Sequence, residues 1–245
     1  MSIKDEIRNR IWRILEEKNI ADFPRPVYGR IPNFKGSDLT CERIRELEEY
    51  KRARVVKVNP DSPQRRIREL CLRDGKILIM PTPRIRNGFL LLDPRKIPPH
   101  AYREASTISG AYRWGIPVKP WDLPKIDLVI VGSVAVDKRG IRLGKGEGYA
   151  ELEWGILAEC GKVDQNTPII TNVHDVQVID EEIPYDVYDL PVDIIVTPTR
   201  IIRTCPVKEK PRGIYWNLLP EKKLSEIPIL QELKKLKLAA QRREP

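Results

Sequence analysis

A chain of 245 residues, 41% hydrophobic and 32% charged, is long enough to bury a substantial core, which argues against a small scaffold held by cross-links. Forty-four Lys and Arg against 35 Asp and Glu leave a formal net charge of +9, which favours polyanionic partners, either nucleotide phosphates or nucleic acid. Cys41, Cys71, Cys160 and Cys205 are too scattered for a paired metal-ligand motif, no apolar run is long enough to span a bilayer, and the charged opening residues lack a secretory apolar stretch. A cytoplasmic protein with no membrane partner is expected.

In chain order, Ser2 is placed to cap a helix whose stripe is Ile3, Ile7, Ile11, Ile14 and Leu15. Lys4 and Arg8 share one face of it, and two cations at that spacing repel unless they are solvated or an anion lies between them. The prolines of 23–36 read as an ordered connector, and a second helix begins near Asp38. Arg54–Val58 is the first clear strand. The turn Asn59-Pro60-Asp61-Ser62-Pro63-Gln64 then opens a helix running to Asp74-Gly75, and Lys76–Pro81 is the next strand. Strand, helix, strand implies a parallel sheet with right-handed crossovers, and such sheets bind ligands at the carboxyl ends of their strands. Asn59, Asp61, Pro81, Thr82 and Arg84 should therefore face one crevice. Gly88–Leu92 reads as an edge strand, Pro94–Pro124 shows few clear elements, and His100 has no evident partner.

Ile126–Val131 has the length and β-branching of a buried strand, and Tyr149–Cys160 has helical spacing. Between them lies Arg142-Leu143-Gly144-Lys145-Gly146-Glu147-Gly148. Alternate glycines let backbone N–H groups close around an anion, the following helix N-terminus adds positive potential, and Arg142 and Lys145 add charge. Strand, glycine loop and helix form a phosphate-binding layout, although the loop is neither a Walker A motif nor the dinucleotide fingerprint. The competing reading is a glycine hairpin before an ordinary helix.

Further on, His174 and Asp175 have no nucleophile motif nearby, so a packed or hydrogen-bonded histidine is expected in preference to a general base. Pro184–Asp193 carries three acids before the strand Ile194–Thr197, which suit either magnesium or ordinary turn chemistry. The segment from 207 to 245 holds ten Lys or Arg and five Glu, +5 of the total charge. Leu230, Leu233, Leu236 and Leu238 make residues 225–243 an amphipathic helix that docks on the domain or on a partner. The chain is thus read as an α/β domain, 1–206, with a basic helical tail, 207–245, through which RNA is a conceivable partner.

At Val134–Asp137, Gly140 and Arg142–Tyr149, at Lys4 and Arg8, and at Tyr188–Asp193, the sequence resembles the 5-formyltetrahydrofolate cyclo-ligase (methenyltetrahydrofolate synthetase) family. Phe23–Pro26, Arg30–Gly36, Val56–Asp61 and Val131–Val136 are similar to a divergent branch, the methenyltetrahydrofolate synthetase domain-containing proteins, whose animal members append an RNA-recognition domain. The resemblance implies a Rossmann-like three-layer α/β fold, with a mostly parallel sheet between helices, and an ATP- and Mg2+-dependent ligase that turns 5-formyltetrahydrofolate into 5,10-methenyltetrahydrofolate, ADP and phosphate. It assigns Lys4, Arg8, Arg142, Gly144, Lys145, Gly146, Glu147, Gly148 and Tyr149 to the nucleotide, with Arg142 and Lys145 catalytic. It assigns Asp189 to the metal and Tyr149 to the folate or a related pterin; Glu151, where the family has an aspartate, is taken as a second metal carboxylate, and Asn59 and Asp61, at the end of the first strand, as further substrate-facing residues. Active cyclo-ligases follow the loop with two tyrosines and an aspartate, where this chain has Tyr149-Ala150-Glu151; the family's glutamate-bearing turn after the first strand is here Asn59–Gln64. Nucleotide binding is accordingly the firmer expectation. A nucleotide-binding paralogue with another substrate and a non-catalytic RNA-associated module stand as alternatives.

Overall fold

The computed structural model describes residues 2–241. Helix α1 (Ile3–Glu17) is capped as expected, with Ser2 Oγ accepting from the Asp5 N–H at 3.2 Å. The connector leads to α2 (Ser37–Glu46), α3 (Glu48–Arg52) and β1 (Val55–Val58), then α4 (Arg65–Arg73) and β2 (Ile77–Pro81). Next come β3 (Phe89–Leu92), α5 (Tyr102–Ala105), α6 (Ile108–Trp114), β4 (Ile116–Val118) and β5 (Leu128–Val131). After β6 (Ala135–Asp137) and β7 (Arg142–Leu143), α7 (Tyr149–Glu159) precedes β8 (Ile169–Asn172), β9 (Val178–Ile179), β10 (Ile194–Val196) and β11 (Ile201–Arg203). The chain closes with α8 (Glu221–Glu226) and α9 (Pro228–Gln241).

Among the described residues, eight strands form one sheet in the order β11-β10-β8-β5-β1-β2-β3-β4, and β7-β6-β9 form a second, smaller one. β10, β8, β5, β1 and β2 run parallel, while β11, β3 and β4 are antiparallel additions. Side-chain alternation divides the apolar core between the two faces. Val56, Val58, Leu128, Ile130 and Ile170 meet α2 to α6, and Val55, Val129, Val131, Ile169 and Ile195 meet α7 and α9. α1 buries Ile7, Ile11 and Leu15 against the small sheet, beside Ala135 and Leu143. The three-layer α/β expectation holds.

Three expectations are corrected. Gly88–Leu92 is not an edge: β4 pairs outside it, with Leu90 opposite Pro117. A proline at the outermost strand costs no ladder hydrogen bond on its open side, so the sheet extends where the sequence looked irregular. The stretch 94–124 likewise carries α5, α6 and β4, short elements whose patterns are too brief to read. Finally, Ile126–Val131 does not run directly into the glycine loop, because the β6–β7 hairpin intervenes. Ile227, Ile229, Leu230 and Leu233 of the tail pack into the core on the α7 side. No helix among the described residues is long and apolar enough to cross a membrane.

Candidate functional site

From β1 the chain builds the sheet outwards in both directions, to β2 on one side and to β5, β8 and β10 on the other. The crossovers therefore leave on opposite faces and a crevice opens beyond the carboxyl ends of β1 and β5, the position where open α/β sheets bind ligands. The crevice encloses about 310 Å3 and is lined by Asn59, Asp61, Thr82 and Arg84, as the strand ends implied, whereas Pro81 stays buried within β2 and is not part of the lining. Gly132, just past β5, lies so close to its surroundings that a Cβ there would stand 2.6 Å from Ile31 Cγ2 and 3.0 Å from Asp61 Oδ2. Burial of Asp61 raises its carboxyl above the usual range, against the pull of Arg68 and Lys145.

The far wall is the glycine loop. Gly146 (φ +103°) and Gly148 (φ +67°) adopt left-handed conformations that side chains disfavour, so the loop can turn tightly into α7. Gly148 is the N-cap of that helix and has no side chain to satisfy its first N–H groups, leaving donors and the positive end of the helix for an anion. Lys145 Nζ lies 2.8 Å from Glu147 Oε2, and both line the crevice with Tyr149 and Gly144. Arg142 is buried and already committed: Nη2 donates to Gly132 O at 3.0 Å and Nη1 pairs with Glu151.

Lys4 and Arg8 do not line the crevice. Arg8 supports the loop from outside it, with Nε donating to Gly144 O at 2.7 Å and Nη1 to Asp5 at 2.8 Å. Lys4 Nζ reaches Asp186 at 2.7 Å and Asp189 at 2.6 Å. Their mutual repulsion is thus relieved by protein carboxylates. Burial opposes the charge on Lys4, but the hydrogen bonds to Asp186 and Asp189 outweigh it and raise its pKa; the same bond to Lys4 lowers that of Asp186.

Glu151 is held by Arg142 and Asp189 by Lys4, and among the described residues no three His, Cys, Asp or Glu side chains converge as a metal cage. Of these two carboxylates only Glu151 lines the crevice, which fits a magnesium ion that keeps water and phosphate ligands and takes a single protein carboxylate there. It does not fit a cage built entirely from protein.

Sequence reasoning missed what lies beneath the crevice. Lys57 of β1 pairs with Glu153 of α7, with both side chains buried, and donates to Asn59 Oδ1 at 2.6 Å. Burial raises the Glu153 carboxyl above its usual range. Arg68 is also buried and secures the turn after β1, with Nη1 donating to Asn59 O at 2.6 Å and Asp61 O at 2.8 Å; burial pushes its pKa down to about 10. The one sequence signal was a lysine inside an otherwise apolar strand, Val55-Val56-Lys57-Val58. His174 is a cap, as expected of a hydrogen-bonded histidine: Nδ1 accepts from the Val176 N–H at 3.3 Å and the ring packs edge-on to Phe34.

A parallel sheet with a crevice at its switch point, walled by a glycine loop and an uncapped helix N-terminus, defines an α/β protein with a pocket beyond the carboxyl ends of its central strands. The chain belongs to the 5-formyltetrahydrofolate cyclo-ligase family, whose model matches residues 1–198. It is 45% identical over 236 residues to the methenyltetrahydrofolate synthase domain-containing protein of Bos taurus, covering 94% of this chain and 62% of that protein. The chain therefore spans less than two thirds of that relative's length. It is 28% identical over 185 residues to the probable 5-formyltetrahydrofolate cyclo-ligase of Schizosaccharomyces pombe, covering 66% of this chain and 84% of that one. The NMR structure of Aquifex aeolicus 5,10-methenyltetrahydrofolate synthetase matches at a TM-score of 0.51 and 22% identity, over 84% of this chain and 95% of that one, a likeness of fold.

Proposed function

We propose that this chain is an ATP- and magnesium-dependent 5-formyltetrahydrofolate cyclo-ligase, with residues 1–206 as the catalytic domain. The observation that carries the reading is the switch-point crevice closed by the glycine loop and the uncapped N-terminus of α7, in a chain of the cyclo-ligase family. In this reading the formyl oxygen attacks the γ-phosphorus and ADP leaves. A neighbouring folate nitrogen then closes on the activated carbon and phosphate departs, leaving the methenyl bridge. Such chemistry asks for positioning and charge neutralisation more than for a protein nucleophile.

The loop N–H groups of 144–148 and Lys145 would contact the phosphates. Arg142, in the crevice wall and already bound to Gly132 O and Glu151, would act as a strut that fixes the loop. Arg8 would brace Gly144 from the other side, and Lys4 would hold Asp186 and Asp189 in place. Glu151 would hold magnesium, which when bound neutralises phosphate charge. Asn59, Asp61 and Tyr149 would face the folate. The family's folate-side glutamate is absent from the turn after β1, and Asp61 and Glu153 offer crevice carboxylates in its stead.

Titration with Mg-ATP, repeated with Lys145→Ala, tests the reading. We expect binding that weakens on the order of tenfold in the variant, as loss of a charged hydrogen bond implies, and ADP release only when 5-formyltetrahydrofolate is added. ATP binding without folate-dependent release would move the substrate elsewhere, and no ATP binding would overturn the nucleotide site. RNA contact through the tail is favoured less, because three of its lysines are committed to the domain: Lys208 to Val187 O, Lys210 to Asp193 and Lys223 to Glu147 O. All four cysteines are free, with burial pushing the Cys41 and Cys71 thiols up to about 12, consistent with the cytoplasmic location we propose.

A further inference from the structure

The glycine loop has a second side. Glu147, Gly148 and Glu151 line the polar crevice and also an apolar groove of about 250 Å3, whose opposite wall is the segment 211–223. That segment lies outside the family match, which ends at residue 198. α7 is nonetheless built to receive it. Trp154 Nε1 donates to Pro211 O at 2.7 Å, Glu159 accepts from the Ile214 N–H at 3.0 Å, and a Cβ at Gly155 would stand 3.1 Å from Gly213 O. The segment brings Tyr215 and Leu218 to the groove, 39% and 55% exposed, and carries Lys223 to the loop. Lys223 Nζ donates to Glu147 O and lies 4.7 Å from the centre of the Tyr149 ring. Its environment is partly desolvated, and burial lowers its pKa.

We propose that the C-terminal segment completes the nucleotide site of this chain: the groove takes the base of a nucleoside triphosphate against Tyr215, and Lys223 is a further cation for its phosphates. The proposal rests on the nucleotide reading above. The two spaces differ in the way that two substrates of a phosphoryl transfer would require. The crevice presents Arg30, Asn59, Asp61 and Arg84, hydrogen-bonding groups suited to a substituted pteridine. The groove presents Leu152, Ile214, Leu219 and the two tyrosines 188 and 215, apolar and aromatic surface suited to the faces of a purine. The shared loop then stands where the phosphates must lie, between base and acceptor, and an ammonium already at its backbone needs no large movement to meet them.

Lys223→Met, Lys223→Arg and Tyr215→Ala, each checked for an unchanged melting temperature, are titrated with Mg-ATP and with magnesium tripolyphosphate, which has no base. Lys223→Met is expected to weaken both ligands on the order of tenfold, as loss of a charged hydrogen bond implies, with at least partial recovery in Lys223→Arg. Tyr215→Ala is expected to weaken ATP several-fold and to leave tripolyphosphate within twofold. If both Lys223→Met and Tyr215→Ala bind ATP like wild type while Lys145→Ala does not, the tail is no part of the site and the loop reading stands alone. If wild type binds neither ligand, both readings fall.

Discussion

Lys57 carries a charge into a strand whose four residues are all buried, and Glu153 meets it from α7 with only 4% of its surface exposed. Two ions so far from water are expensive to desolvate, and removing one leaves the other uncompensated. Lys57→Met should lower the unfolding free energy by about 3–5 kcal/mol, the range for a broken buried pair. Lys57→Met with Glu153→Leu should recover most of that loss. Urea unfolding of the two variants decides, and a double variant no better than the single would mean that packing, rather than charge, sets the cost. Lys4 and Asp186 form a more exposed pair, so its contribution is small, about 1 kcal/mol or less. The folded pKa of Asp186 lies below its unfolded value of about 3.9, so its share is present above that pH and fades as pH falls through the folded value. Lys4 is raised above an unfolded value of about 10.4, so its share fades as pH rises through the folded value. The stability gap between wild type and Lys4→Met should therefore be widest between about pH 4 and 10 and should narrow at either extreme. A gap that stays flat across that range would remove the pair from the account.

At the scale of elements, α9 shows how an amphipathic stripe is divided by its surroundings. Four leucines give it an apolar face, but Leu230 is fully buried against the sheet while Leu236 remains 53% exposed. The helix lies over the turn before β3, where Gly88 (φ +74°) leaves room for Ile229: a Cβ at Gly88 would stand 2.5 Å from Ile229 Cδ1. Leu230→Ala should cost about 2–5 kcal/mol, as large-to-small changes in a filled core do, and Leu236→Ala within about 0.5 kcal/mol. Equal effects in thermal unfolding would contradict the docking of this helix on the sheet. α7 works differently. It is buried nearly all round, and its uncapped end, with Glu151 and Glu153 one turn inside, connects the core to the loop.

For the whole molecule, the parallel centre of the sheet was legible because strands buried on both faces are mostly apolar runs, and Ile77–Pro81, Leu128–Val131 and, apart from Lys57, Val55–Val58 are such runs. Asn59, Asp61, Thr82 and Arg84 were legible as crevice residues because they directly follow those strands, and parallel strands present their carboxyl ends on one side. The sequence by itself also determined the turns of the glycine loop, since only residues without a Cβ adopt φ +103° or +67° readily. Pairings between distant residues were not legible: Glu153 is 96 positions from Lys57, and Lys223 is 76 from Glu147. A charged residue in an apolar strand announces that a partner exists but not which one. Tertiary structure alone decided that Arg142, in the crevice wall, is paired with Glu151, that Lys4 and Arg8 meet carboxylates and a carbonyl, and that the tail returns to wall a second space beside the loop. The physical reason is that periodicity and turn chemistry are set by neighbours along the chain, whereas the partner of a buried charge is set by which faces the packing brings together.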